Sequence, residues 1–159
     1  METRIAHLQE EAPGHDSGFT ARAHRSLIEG RADMKIFVVE DSAAIRERLV
    51  EMIGDIEGVV VVGEAATSDE AVAGIRRTRP DVAIFDIQLA AGSGIDALVE
   101  AKRAQPGLRA IVLTNYATPQ HEKASVDAGA EYFMDKSAEF ERIAEVLTGM
   151  KIEIDGPSN

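Results

Sequence analysis

From Met34 onward, short runs rich in β-branched residues alternate five times with stretches whose apolar residues recur at helical spacing. No other feature constrains the fold as strongly. Strands separated by helix-length connections lie parallel, and a parallel sheet needs helices on both faces. The strands are expected at 35–39, 59–62, 82–85, 110–113 and 131–134. The third run is apolar throughout, which places it in the centre of the sheet. The fold class is α/β, a doubly wound five-stranded parallel sheet.

The helix signals agree. Ser42 is a good N-cap ahead of Ile45, Leu49, Met52 and Ile53, and Gly54 closes that helix. Thr67 and Glu70 read as a capping box before Val72 and Ile75, and Pro80 closes the connection. Gly92 and Gly94 precede a helix carrying Ile95, Leu98, Val99 and Lys102 on one side, which Pro106 and Gly107 end. Thr118 and Pro119 suit the N-cap and first position of a fourth helix that Gly129 would cap. Its only apolar side chains are Ala124, Val126 and Ala128, so it should be loosely held. The last helix, capped by Ser137, sets Phe140, Ile143, Val146 and Leu147 against the sheet.

Four of the five strands end on residues suited to moving a phosphoryl group. Glu40 and Asp41 follow the first, Asp86 the third, Thr114 the fourth, and Lys136 the fifth. In an open parallel sheet the carboxyl ends of the strands form the ligand-binding edge, so these groups converge. Three carboxylates, a hydroxyl and an ammonium can together hold a divalent cation, offer a nucleophile and neutralise phosphoryl oxygens. Mg²⁺ is the natural cation, because it takes oxygen ligands, keeps waters and binds through one or two carboxylates plus phosphate.

The rest of the composition narrows the function. With a formal charge of −11 and no basic run, the chain lacks the electrostatic footprint of a nucleic-acid binder. It has no cysteine, hence no disulfide, thiolate metal site or cysteine nucleophile. No segment approaches the ~20 apolar residues of a membrane span, and the expected location is the cytoplasm. His7, His15, His24 and His121 are scattered without metal-ligand spacing and read as solvated surface. Residues 1–33 are expected to be a mobile extension, 34–150 the domain and 151–159 a tail.

The acidic pair Glu40 and Asp41, then Asp86, Gly94, Thr114, the Ala128, Gly129, Ala130 sequence and Lys136, each placed on its own βα unit, resemble the receiver domains of two-component response regulators. The resemblance spans Met34 to about Met150. It implies a flavodoxin-like (βα)5 fold with strand order 2-1-3-4-5, the order for which a chemotaxis receiver is a standing example. It implies that Asp86 is the phosphoacceptor, that Asp41, Asp86 and the backbone carbonyl of Gln88 ligate Mg²⁺, and that Glu40 acts through water. Lys136 would pair with Asp86 at rest and with a phosphoryl oxygen later, while Thr114 would donate to the phosphoryl group. Phe133 matches the family's switch aromatic, with Tyr132 on the opposite face, and Gln88 and Tyr116 would flank the path of hydrolytic water.

Two positions depart from the family pattern. Ser137 follows Lys136 where a cis proline is frequent, so a trans connection is expected, and Ala90 replaces a frequent proline, which should loosen its loop. The expected function is that of a single-domain response regulator phosphorylated by a sensor histidine kinase or histidine phosphotransfer protein. It would signal to a downstream protein or along a phosphorelay, with no direct nucleic-acid contact and no membrane insertion. It would not be an enzyme beyond self-catalysed phosphotransfer and autodephosphorylation. The alternative is a metal-dependent phosphatase or transferase that uses an aspartyl phosphate on the same fold, but no long insertion supplies a substrate cap.

Overall fold

The computed structural model describes residues 33–156; all of the expected extension but Asp33 lies outside them, as do residues 157–159. Five strands, β1 (Met34–Val39), β2 (Val59–Ala65), β3 (Val82–Phe85), β4 (Arg109–Thr114) and β5 (Tyr132–Asp135), form one parallel sheet in the order β2-β1-β3-β4-β5. The helices are α1 (Ala43–Gly54), α2 (Ser68–Thr78), α3 (Gly94–Ala104), α4 (Pro119–Ala128), the short α5 (Lys136–Glu139) and α6 (Ile143–Asp155), with a 3₁₀ turn over Phe140–Arg142. The α6 helix runs to Asp155, so residues 151–155, expected in the tail, are helical.

Alternation along the strands builds two cores. Met34, Ile36, Val38, Val82 and Ile84 face one side with Leu49 and Ile53 of α1 and Ile143, Leu147 and Met150 of α6. Phe37, Val39, Ala83 and Phe85 face the other with Ile75 of α2 and Ala97, Leu98 and Ala101 of α3. The buried stripe of α3 thus includes two alanines beside Leu98, and Ile95 and Val99 are only partly covered. Lys102 turns its ammonium to the Leu108 carbonyl at 2.9 Å.

The caps show how local chemistry sets helix starts. Ser42, Thr67 and Thr118 each accept from the backbone N–H three residues on. Glu70 reaches back to the N–H of Ala66 rather than that of Thr67, so the expected box closes one residue further out. The last helical segment differs from expectation. Asp135, not Ser137, is the cap, and its Oδ1 accepts from both the N–H and the hydroxyl of Ser137. Glu139 Oε1 accepts from the Asp135 N–H at 2.8 Å, closing a clasp around Lys136 with no cis peptide among the described residues.

In α4 the single fully buried residue is Ser125, and Val126 is 56% exposed beside the surface pair of Lys123 and Asp127. The loop after β3 is firmer than expected from Ala90. The Ala90 N–H donates to the Ala66 carbonyl, a bond a proline could not make, and Ser68 N–H donates to the Ala91 carbonyl.

Candidate functional site

The sheet's hydrogen-bond ladder runs one residue past its strands and into the site. Glu40 N–H donates to the Ala65 carbonyl and Asp86 N–H to the Val39 carbonyl, both at 2.9 Å, so the two acids leave a rigid edge. Gly94 opens α3 hard against that edge. A Cβ there would overlap the Asp86 carbonyl oxygen, which is why only glycine fits. Thr114, fully buried, ends β4 opposite Asp135 of β5.

Lys136 is the centre of the arrangement. Its Nζ lies 2.7 Å from Glu40 Oε1 and 2.8 Å from Asp86 Oδ2, and all three side chains are buried. The pairing with Asp86 matches the expectation for the resting site; the bond to Glu40 was not foreseen. Glu40 Oε2 accepts from the Ser42 N–H, so both of its oxygens are occupied by protein donors. Burial pushes the Glu40 carboxyl above the usual carboxylate range, against the lowering effect of Lys136 and the Ser42 N–H. Burial also works against the Lys136 ammonium, but the hydrogen bonds it donates to Asp86 and Glu40 outweigh that and hold its pKa up.

Glu40, Asp41 and Asp86 bring carboxylate oxygens within 4.8 Å of one another. Asp86 Oδ1 is buried with no hydrogen-bond partner among the described residues, while its Oδ2 is held by Lys136. An all-oxygen donor set with one orphaned buried carboxylate oxygen fits a hard divalent cation. Asp41 is exposed at the rim of this group.

The remaining predicted residues lie around it. Thr114 Oγ1 accepts from the Tyr116 N–H at 3.1 Å. Phe133 is half-buried against the core on the α2 and α3 side, and Tyr132 packs against the opposite core, as the strand alternation required. Gln88 and Tyr116 are exposed, and Gln88 pairs through its backbone with Ser93. Two side chains near the site escaped the sequence reading. Asn115 lines a cleft of about 340 Å³ beside Lys136. Arg46 donates to the Glu40 carbonyl at 2.7 Å, and its only sequence signal is a basic residue six positions after Glu40.

The response regulator receiver domain model matches residues 36–148. The chain belongs to that family. It is a family of signalling proteins, and its acidic pocket is a Mg²⁺ site, which is the class of cation expected here. Among relatives of this receiver, the DNA-binding transcriptional activator DevR/DosR of Mycobacterium tuberculosis is 32% identical over 72% of this chain and 52% of its own length. Among solved structures, the CheY-like receiver domain protein of Methanospirillum hungatei is 30% identical with a TM-score of 0.64, over 76% of this chain and 98% of that one. The response regulator domain of Thermotoga maritima CheB is 27% identical with a TM-score of 0.67, over 74% and 92% respectively. The receiver spans about half the length of the relatives it matches first. No described helix is long and apolar enough to cross a membrane.

Proposed function

We propose that Asp86 accepts a phosphoryl group from a phosphohistidine on a sensor kinase or phosphotransfer protein. The observation that carries this reading is the asymmetry of its carboxylate: Oδ2 is fixed by Lys136 and Oδ1 is left without a partner. Lys136 orients the carboxylate so that Oδ1 attacks phosphorus in line; an O–P bond forms as the P–N bond to the donor imidazole breaks, and the electron pair leaves with the ring nitrogen. Asp41, Asp86 and the Gln88 carbonyl would hold Mg²⁺, and Glu40, its oxygens already engaged, would act through water. A cation there supplies the charge neutralisation that lets two anions meet. Lys136 and the Thr114 hydroxyl then hold the oxygens of the transferred group, with Gln88 and Tyr116 on the route of hydrolytic water.

Movement of Thr114 towards the phosphoryl group and a turn of Phe133 would carry the signal to the surface around α4. The net charge of −11 supports a protein, not a nucleic acid, as what this receiver contacts, either a downstream target or the next histidine of a relay. The test is phosphorylation by a small phosphodonor with Mg²⁺, followed on a gel that resolves phosphoprotein. Asp86→Asn is expected to stay folded and unlabelled, because an amide is no nucleophile; labelling equal to wild type would overturn the assignment.

A further inference from the structure

Among the described residues nothing holds the Asp41 side chain. It is exposed, and its carboxylate has no hydrogen-bond partner among the described residues. A ligand that must meet a cation at fixed distance needs its backbone held instead. One residue does this from both sides. The backbone N–H of Arg46 donates to the Ser42 carbonyl at 2.8 Å, and its Nη1 donates to the Glu40 carbonyl at 2.7 Å, so the two carbonyls that flank Asp41 in the chain are both tied to Arg46.

The guanidinium is itself anchored. Its Nε donates to Glu64 Oε1 at 3.2 Å, at the carboxyl end of β2, and the Arg46 side chain is 23% exposed. An ion pair this open contributes little to stability. Its geometry matters more: two separate nitrogens of the rigid planar fork, Nε and Nη1, reach β2 and the β1–α1 connection at once, where an ammonium has one nitrogen on a flexible stem. Glu64 also offsets the positive charge that Arg46 brings near a cation site.

We infer that Arg46 is a positioning residue that presents Asp41 to the divalent cation, with Glu64 fixing its fork. The inference rests on the reading of Glu40, Asp41 and Asp86 as a Mg²⁺ site. Guanidinium charge alone would have the opposite effect, since it repels Mg²⁺ and its removal would tighten binding. The sign of the change therefore separates positioning from charge.

The experiment is calorimetric titration of the full chain with Mg²⁺, with folding checked by circular dichroism, for wild type, Arg46→Met, Arg46→Lys and an Asp41→Ala control. Methionine keeps most of the length and packing of the stem and removes every side-chain donor, leaving only the backbone N–H on the Ser42 carbonyl. Arg46→Met is expected to weaken Mg²⁺ binding about tenfold. Arg46→Lys, which keeps one donor for the Glu40 carbonyl, is expected to fall between it and wild type, and it carries the test if the methionine variant does not fold. Asp41→Ala is expected to abolish binding. Unchanged or tighter Mg²⁺ binding in the Arg46 variants, with binding intact in wild type and lost in Asp41→Ala, would overturn the inference alone. A wild type that shows no Mg²⁺ binding would instead overturn the site reading, and this inference with it.

Discussion

Replacing Lys136 with methionine removes the cation that both Glu40 and Asp86 touch while keeping most of the bulk of its stem. The side chains of Lys136, Glu40 and Asp86 are 6%, 2% and 8% exposed, so the two carboxylates would remain buried without a counter-charge. Breaking a buried ion pair from one side costs about 3–5 kcal/mol. Against a total stability of about 5–15 kcal/mol for a domain, that is a large share, and it corresponds to a fall in melting temperature of roughly 10–20 °C. Mg²⁺ should recover part of the loss, because a bound ligand adds about 2.7 kcal/mol at a hundred times its Kd and the variant site is more negative than the wild-type one. Adding Asp86→Asn in the same background should also recover part of it. The sign of the pH dependence follows from Lys136 having its pKa raised in the folded state. Its contribution is complete below the ordinary lysine value of about 10.4 and is lost as pH rises through the folded value, so the gap between wild type and variant stays flat from about pH 7 to 10 and closes in stronger alkali. The assay is urea unfolding in chelator and in Mg²⁺ across that range. A variant as stable as wild type in chelator, with the same Mg²⁺ increment, would refute the buried triad.

Gly94→Ala forces a methyl group onto the Asp86 carbonyl oxygen, a backbone atom that cannot swing away. It is expected to cost at least about 2 kcal/mol in urea unfolding and to lower the phosphorylation rate together with stability; wild-type values for both would show that the close approach is wrong. Thr114→Ala and Phe133→Ala are expected to leave Asp86 able to accept a phosphoryl group while reducing the change in partner affinity that beryllium fluoride produces. Retention of the full wild-type change in both variants would remove Thr114 and Phe133 from the signal path.

The strands and most helix starts were legible because their causes are local. β-Branched runs such as 36–39 and 110–113 announce themselves, and Ser42, Thr67 and Thr118 cap the backbone three residues on. The strand-end acids and Lys136 were legible because a parallel sheet gives its carboxyl ends one edge. The bond between Lys136 and Glu40 was not, since it joins residues 96 positions apart and depends on how far β5 and β1 project beyond the sheet. Arg46 was hidden for a related reason: its partners are a main-chain carbonyl and Glu64, neither of which has a sequence pattern of its own. The expected cap at Ser137 failed because Asp135 starts the helix two residues earlier, accepting from the Ser137 N–H and drawing in its hydroxyl as well. In α4, composition pointed to Val126, but helix rotation buries Ser125 and leaves the valine outside.

That burial of Ser125 has a consequence for when different parts of the molecule exchange their amide hydrogens. Its hydroxyl is enclosed without a hydrogen-bond partner among the described residues, a cost of about 1–3 kcal/mol set against few buried apolar contacts on the same helix. The amides of α4 should therefore exchange through a local opening well below the global unfolding free energy, while those of β1 and β3, buried on both faces, exchange only when the whole sheet comes apart. An element whose opening costs so little can be reset by an event of similar size, and one charge-assisted hydrogen bond to a phosphoryl oxygen, at about 1.5–3 kcal/mol, is of that size.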